Sequence, residues 1–119
     1  MKITDVTVTL FKWDNIPLKS YDQAVNAVNT TSDLGFVRIE TDEGFEGHSL
    51  LGLCVHPASL EAPFITRFLK PILMGQNPLD RASLFERMSV MRAQVSTFAV
   101  CAIDVALWDL AGKVSGLPI

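Results

Sequence analysis

The segment from Thr97 to Lys113, TFAVCAIDVALWDLAGK, constrains this chain more than any other. From Phe98 to Ala111 only Asp104 and Asp109 are polar, and a helix that is apolar on nearly every side has to be covered from several directions. The run is shorter than the ~20 apolar residues that span a bilayer. It predicts a buried central helix, around which the rest of the chain packs.

Composition excludes several classes of partner. A length of 119 residues predicts one domain, and the net charge of −3, without a cluster of Lys or Arg, argues against nucleic acid and anionic membranes. Cys54 and Cys101 are far apart, and no signal peptide precedes Ile3. We therefore expect two reduced thiols in a cytoplasmic protein.

The first part of the chain predicts a three-stranded antiparallel meander. Residues Ile3–Trp13 alternate, with Val6, Val8 and Leu10 on one side, which indicates a strand with one buried face. Two further strands, Leu34–Thr41 and Phe45–Leu51, flank a three-residue hairpin loop in which Gly44 takes the left-handed position.

Three helices are expected after the strands, which makes the fold class α+β with the helices against one face of the sheet. The first runs from Ser59 to about Leu69, with Pro63 in its first turn and Pro71 ending or kinking it. The second is capped by Asp80. The third is the central helix, with Ser96 or Thr97 at its start and Gly116 at its end. On the first helix Leu60, Phe64 and Phe68 recur four apart, with Ile65 and Leu69 beside them. On the second, Leu84, Met88 and Met91 form a stripe, with Phe85 alongside.

One connection, Asp14–Asp33, is the best functional candidate by position. Residues Asp14–Asp33 have no convincing periodicity, and loops of this length in compact domains tend to be lids or binding loops. Residues Gly52–Ala58 form a second loop.

The residues alone give no convincing catalytic set and no metal site. His48 and His56 lack the further ligands that zinc would need, which favours an ordinary strand histidine and a loop histidine. Asp104 and Asp109 stand about 140° apart around a helix, so they cannot act as a facing acid and base. A structural role is favoured, such as a pair with Lys113 or an arginine.

Three motifs in order resemble the amino-terminal capping domain of the enolase superfamily, in its mandelate racemase and muconate lactonizing enzyme branch. They are TDEGFEGHS at residues 41–49, LKPILMGQNPLD at residues 69–80, and CAIDVALWDLAGKVSGLPI at residues 101–119. The likeness to mandelate racemase is the closest, and the resemblance covers essentially the whole chain.

The resemblance implies that residues 1–119 are one domain of a larger enzyme. A TIM-type barrel is expected after residue 119 in the same polypeptide, and its strand ends hold the catalytic Lys and His and the carboxylate ligands of Mg²⁺. Such enzymes remove the proton α to the carboxylate of a small acid substrate. This chain alone is then expected to be inactive, with no catalytic residue and no bound metal, and to contribute the two loops that cover the barrel and select the substrate.

The resemblance also implies which residues face the substrate. In the first loop they are three polar residues and one apolar residue. The corresponding positions of mandelate racemase are mostly small and apolar. In the second loop the contact is Cys54 or Val55. The four residues of the first loop are Asp22, Ala24, Asn26 and Asn29. A hydrophilic substrate such as an acid sugar is therefore favoured, although Asn26 and Asn29 as merely solvated residues are the alternative.

Several activities stay open at this point. A sugar-acid dehydratase is the first choice, a mandelate-racemase-like racemase or an epimerase the second, and a cycloisomerase the third, each expected as a homo-oligomer. The alternative from another class is a free-standing α+β module for small-molecule binding or dimerisation.

Overall fold

A computed structural model describes residues 1–14, 32–52 and 56–119 of the chain. In these ranges three strands precede three helical segments, so the α+β prediction is confirmed. No helix among the described residues has the length and apolar character needed to cross a membrane.

The sheet is an antiparallel meander in the order β1-β2-β3, as predicted. Strand β1 is Ile3–Trp13, β2 is Ser32–Thr41 and β3 is Glu46–Leu51. The register places Val6 opposite Ile39 and Val8 opposite Val37. Because side chains alternate along a strand, these residues share the face that packs on the helices.

The hairpin between β2 and β3 confirms the expected loop. The backbone of Thr41 donates to the carbonyl of Phe45 at 3.1 Å, which closes a loop of three residues, and Gly44 has a φ of +81°. A residue with a side chain would be strained at that φ. The turn thus fixes the register of β2 against β3.

The first helical segment is longer and less regular than predicted. It consists of α1 (Ala58–Phe64), a π-helical turn (Ile65–Leu69) and α2 (Lys70–Leu73). Pro71 has no N–H for a regular helical hydrogen bond, and the chain accommodates it with the π turn, where Lys70 donates to the carbonyl of Ile65. Pro63 lies in the second turn rather than the first, because the helix begins at Ala58.

The predicted apolar face of this segment is correct in part. Ile65 and Leu69 are buried as expected and Phe64 packs against the core, but Leu60 and Phe68 are exposed. The exposed and the buried residues both recur at helical spacing, so periodicity alone could not distinguish them. The buried set is Ala58, Glu61, Ile65, Leu69 and Leu73. It contains a carboxylate, Glu61.

The second helical segment is α3 (Arg81–Ser89), extended by a 3₁₀ turn at Val90–Ala93. Leu84 and Met88 are buried as predicted. Asp80 occupies the N-cap position, but its side chain makes no capping hydrogen bond.

The third segment, α4 (Thr97–Ser115), lies directly along β3. Its N-cap is Ser96, whose Oγ accepts from the Ala99 amide at 3.2 Å, and Gly116 ends it with a φ of +67°. A Cβ on Gly47 would collide with the backbone carbonyl of Ala106. Glycine at this position therefore allows the helix to approach the strand closely.

The central helix is less enclosed than expected. Its inner side, including Ile103, Leu107 and Leu110, is buried. The opposite side carries an apolar stripe in which every member remains exposed. The stripe, called here the outer stripe of α4, is Phe98, Cys101, Val105 and Trp108.

Candidate functional site

The two connections singled out in the sequence leave the sheet at the same end. Trp13, near the end of β1, pairs with Ser32 at the start of β2, and Leu51 at the end of β3 pairs with Gly35. We call this the loop end of the sheet and the opposite one the hairpin end. Asp33 reinforces the loop end, since its Oδ1 accepts from the Ser59 amide of α1 at 2.7 Å.

All of the predicted substrate-facing residues lie outside the described residues. These residues are Asp22, Ala24, Asn26, Asn29 and Cys54, together with the alternative Val55. The structure brings the residues that flank both connections to one end of the sheet. The roles of the predicted residues stay predictions.

A buried carboxylate, Glu61, organises the described part of the loop end. Its side chain is 3% exposed. The Oε1 atom lies 2.5 Å from Nε2 of His56, and the hydroxyl of Ser96 donates to Oε2. Because a buried charge is unfavourable unless it is hydrogen-bonded, these two partners stabilise the carboxylate. Glu61 therefore joins the segment after β3, α1 and the start of α4.

The ring of His56 is held in place from a second direction. It stacks on Phe98 of α4 with ring centroids 4.7 Å apart and planes inclined by 27°. About a third of the His56 side chain remains exposed. The imidazole is thus fixed in orientation but open to solvent on one side.

This network does not form a nucleophilic triad. The carboxylate lies between the serine and the histidine, whereas a triad needs the histidine between the other two so that it can take the serine proton. A resident metal ion does not fit either, because no group of three His, Cys, Asp or Glu side chains in the described part of the chain could hold one. The arrangement can orient an imidazole and bind a polar group.

Sequence reasoning missed Glu61. The available signal was a carboxylate at helical spacing with Ala58, Ile65 and Leu69. A charged residue among apolar ones on a helix face is rarely buried without a partner. The sequence favours an ordinary loop histidine at position 56, because spacing does not identify Glu61 as its partner.

The hairpin end carries a second histidine, on β3, and a second carboxylate, on α4. Oδ2 of Asp109 accepts from the His48 amide at 2.7 Å and from Nζ of Lys113 at 2.6 Å. Burial raises the pKa of Asp109, but these hydrogen bonds and the nearby positive charge outweigh it, so the pKa lies below its usual range. The predicted structural role is confirmed, since Asp109 satisfies an edge amide of the sheet.

The other acid of α4, Asp104, has a different environment. Burial raises its pKa, and the charge of Arg81 offsets part of that effect. The guanidinium of Arg81 lies 3.9 Å from the centre of the Trp108 ring. The expected arginine partner is therefore present, as a nearby charge.

The family model for the amino-terminal domain of mandelate racemase and muconate lactonizing enzyme matches residues 3–119. The chain belongs to this family. The resemblance seen in the sequence motifs is thereby confirmed.

Curated relatives of the family match this domain at about one-third identity. Cis-3-hydroxy-L-proline dehydratase of Roseibium aggregatum is 33% identical over the whole chain, which covers 33% of that relative. D-galactonate dehydratase of Verminephrobacter eiseniae is 35% identical over 71% of the chain and 22% of the relative. The chain thus spans a third or less of these relatives' length.

Solved structures share the fold. Muconate lactonizing enzyme from Pseudomonas fluorescens, in complex with muconolactone, superposes with a TM-score of 0.74 at 22% identity, over 96% of this chain and 31% of that one. A racemase from Streptomyces coelicolor A3(2) with bound magnesium has a TM-score of 0.72 at 24% identity, over 95% and 31% of the two chains.

Proposed function

We propose that residues 1–119 are the capping domain of a larger Mg²⁺-dependent enzyme that removes the proton α to the carboxylate of a hydrophilic acid. A sugar-acid dehydratase is the first choice. The observation that carries the proposal is the common origin of two connections at the loop end of the sheet, in a chain of this family. Two segments that leave the same end can cover one active-site mouth together.

The relatives support the choice of a dehydratase. They include D-galactonate and D-mannonate dehydratases, which are named for sugar acids. The three polar residues among the four assigned positions of the first loop agree with such a substrate. A racemase or an epimerase is the second candidate, because an L-Lys-D/L-Arg epimerase is 30% identical over the whole chain.

The exposed outer stripe of α4 supports the proposal that another part of the polypeptide packs against this helix. Phe98, Val105 and Trp108 are each about half exposed, which is unusual for large apolar residues on one helix face. We propose that the barrel of the same polypeptide contributes to this cover. Magnesium would be held outside this chain, since the described residues do not fit it, and no step of the reaction is assigned to residues 1–119.

The test is turnover by the full polypeptide with a panel of mono- and diacid sugars and mandelate. Asn26→Val and Asn29→Val should each lower kcat/KM for the preferred sugar acid by ~1–3 kcal/mol of transition-state binding, because each removes one polar contact. Asn15→Val is the matched control, since it changes the same residue type in the same connection at an unassigned position.

Two results would count against the proposal. If kcat/KM of the Asn26 and Asn29 variants equals that of the control, the loop assignment is wrong. If mandelate is the preferred substrate and sugar acids are not turned over, the hydrophilic substrate class is wrong.

A further inference from the structure

Two clefts meet beside α3 and α4, near the hairpin end of the sheet. One, of about 430 Å³, lies between the start of α3 and the second half of α4, and the other, of about 380 Å³, lies between α4 and residues 117–119. Both are lined by Leu79, Arg81 and Trp108. Leu79 is 42% exposed and Trp108 is 45% exposed. The wall that the two clefts share is therefore apolar and exposed, with one positive charge.

Arg81 has an unsatisfied donor at this place. Its Nε atom is buried and has no hydrogen-bond partner among the described residues. Its guanidinium lies over the ring of Trp108, 3.9 Å from the ring centre, and this contact restricts its orientation. Unpaired buried donors are rare in native structures, because each one costs free energy. The residues that the structure describes therefore do not complete the packing around Arg81.

The charge of Asp104 restricts what can bind beside Arg81. Asp104 lines the first cleft together with Arg81. Its carboxylate weakens the attraction of the guanidinium for an anion, so a phosphate or a free carboxylate gains little there. A neutral carbonyl oxygen still accepts a hydrogen bond from the guanidinium. The apolar wall and this donor together fit a polypeptide segment, which has apolar side chains and one backbone carbonyl per residue.

Residues 117–119 point to the segment that fills the clefts. The Leu117 amide donates to the Gly112 carbonyl at 3.1 Å, and a Cβ on Gly112 would lie 3.1 Å from Cγ1 of Ile119. These residues thus fold back along α4, and Ile119 lines the second cleft together with Arg81 and Trp108. Over its whole length this chain matches a relative of which it covers 33%. In the proposed enzyme the polypeptide therefore continues from Ile119 at this place.

We propose that the segment directly after Ile119 docks in these two clefts, and that one of its backbone carbonyl oxygens accepts a hydrogen bond from the Arg81 guanidinium. Leu79 and Trp108 then pack against its apolar side chains. The docked segment holds the capping domain in a fixed position relative to the rest of the polypeptide, since domains joined only by a free linker move relative to one another. This inference rests on the proposed function, because it needs a polypeptide that extends beyond residue 119.

Hydrogen exchange of the full polypeptide, followed by mass spectrometry, tests the docking. Arg81→Met keeps the length of the side chain and removes its donors. The first amides after Ile119 should then exchange about 10- to 150-fold faster than in the wild type, because one hydrogen bond to a charged group is lost. Arg81→Lys keeps the charge but not the planar contact with Trp108, and should accelerate this exchange about threefold or more. Arg87→Met is the matched control, since Arg87 is an exposed arginine on the same helix, and it should leave the exchange unchanged.

Exchange of the amides in the buried part of α4 is the internal reference, and it should be equal in all four proteins. If it rises in Arg81→Met, that variant has opened the fold and Arg81→Lys alone decides. The inference is overturned if the segment after Ile119 exchanges like an unstructured peptide in the wild type, or if neither Arg81 variant accelerates its exchange. Protection of the Trp108 region that increases with protein concentration also overturns it, because a second copy would then fill the clefts.

The exchange measurement needs no substrate, so its failure is distinguishable from failure of the proposed function. The proposed function fails when the full polypeptide turns over no acid of the panel, whereas the docking fails when the Arg81 variants and the wild type exchange alike.

Discussion

The two ends of α4 hold similar groups for different purposes. At the hairpin end, Asp109 binds the His48 amide and Lys113, and at the loop end Glu61 binds His56 and Ser96. The Asp109 side chain is 29% exposed and accepts from a backbone amide at the edge of β3, whereas the Glu61 side chain is 3% exposed and hydrogen-bonds to two side chains. The two carboxylates thus differ in their partners: Asp109 binds a backbone amide and a lysine, and Glu61 binds the side chains of a histidine and a serine.

The difference shows why one pair is structural and the other is a candidate for function. Asp109 accepts a hydrogen bond from a backbone amide at the open edge of the sheet, so its role is to satisfy that donor. Glu61 is buried at a cost that is recovered only through the groups it orients. Substitutions at either end should therefore change the free energy of unfolding.

The largest effect is expected where the backbones of β3 and α4 meet. Gly47→Ala places a methyl group against the Ala106 carbonyl, so the helix must shift, and we expect a loss of about 3 kcal/mol or more in the free energy of unfolding. Urea denaturation measures it. Gly44→Ala is the control, because it has open space and only a left-handed φ, with an expected loss of about 1 kcal/mol. Equal losses would disprove the close packing.

The loop end should respond next. Ser96→Ala removes the N-cap of α4 and one of the two hydrogen bonds to Glu61, so a loss of about 1–2 kcal/mol in unfolding free energy is expected. Asp80→Ala is the matched control, since Asp80 occupies an N-cap position without a capping hydrogen bond, and its loss should stay below about 0.5 kcal/mol. A comparable loss in both variants would mean that Ser96 does no more than an ordinary helix-start residue.

The hairpin end should show a dependence on pH. The pKa of Asp109 is lower in the folded state than in the unfolded state, so its contribution is complete above the unfolded value of about 3.9 and is lost as pH falls through the folded value. Asp109→Asn should therefore cost about 1 kcal/mol at pH 7 and less in acid. Thermal unfolding from pH 2 to 7 tests this, and a cost independent of pH would contradict the ion pair with Lys113.

The smallest effect has the opposite sign. The pKa of Asp104 is raised in the folded state, so its ionised form is disfavoured by folding, and the resulting penalty is present at neutral pH and relieved as pH falls below the folded value. Asp104→Asn should leave stability unchanged or raise it, by no more than about 0.5 kcal/mol at pH 7. Calorimetry at pH 7 and pH 3 measures the effect. A clear destabilisation at pH 7 would contradict the prediction, because it would show that the carboxylate has a favourable partner.

Local patterns predicted much of the fold. Strict alternation identified β1, the Asp42–Gly44 turn fixed the hairpin, and the cap at Ser96 and the stop at Gly116 bounded α4. The pair of Asp109 with Lys113 followed from helical spacing. Each of these depends on interactions within a few residues, which a sequence contains directly.

The features that depend on tertiary contacts could not be predicted from local patterns. On the first helix, Leu60 and Phe68 are exposed although the spacing predicts them beside the buried Ile65 and Leu69, because apolar residues lie on two neighbouring faces and only packing selects one. The bond from the His48 amide to Asp109 joins residues 61 positions apart, and that from Ser96 to Glu61 joins residues 35 apart. The predicted loop contacts came from the resemblance and stay predictions.

The most direct test of the central claim compares residues 1–119 with the full polypeptide in one assay of magnesium-dependent turnover on the panel of acid sugars and mandelate. The account predicts that the full polypeptide turns over a sugar acid and that residues 1–119 turn over none. Turnover by residues 1–119 alone would contradict it, because the reacting groups would then lie within the capping domain.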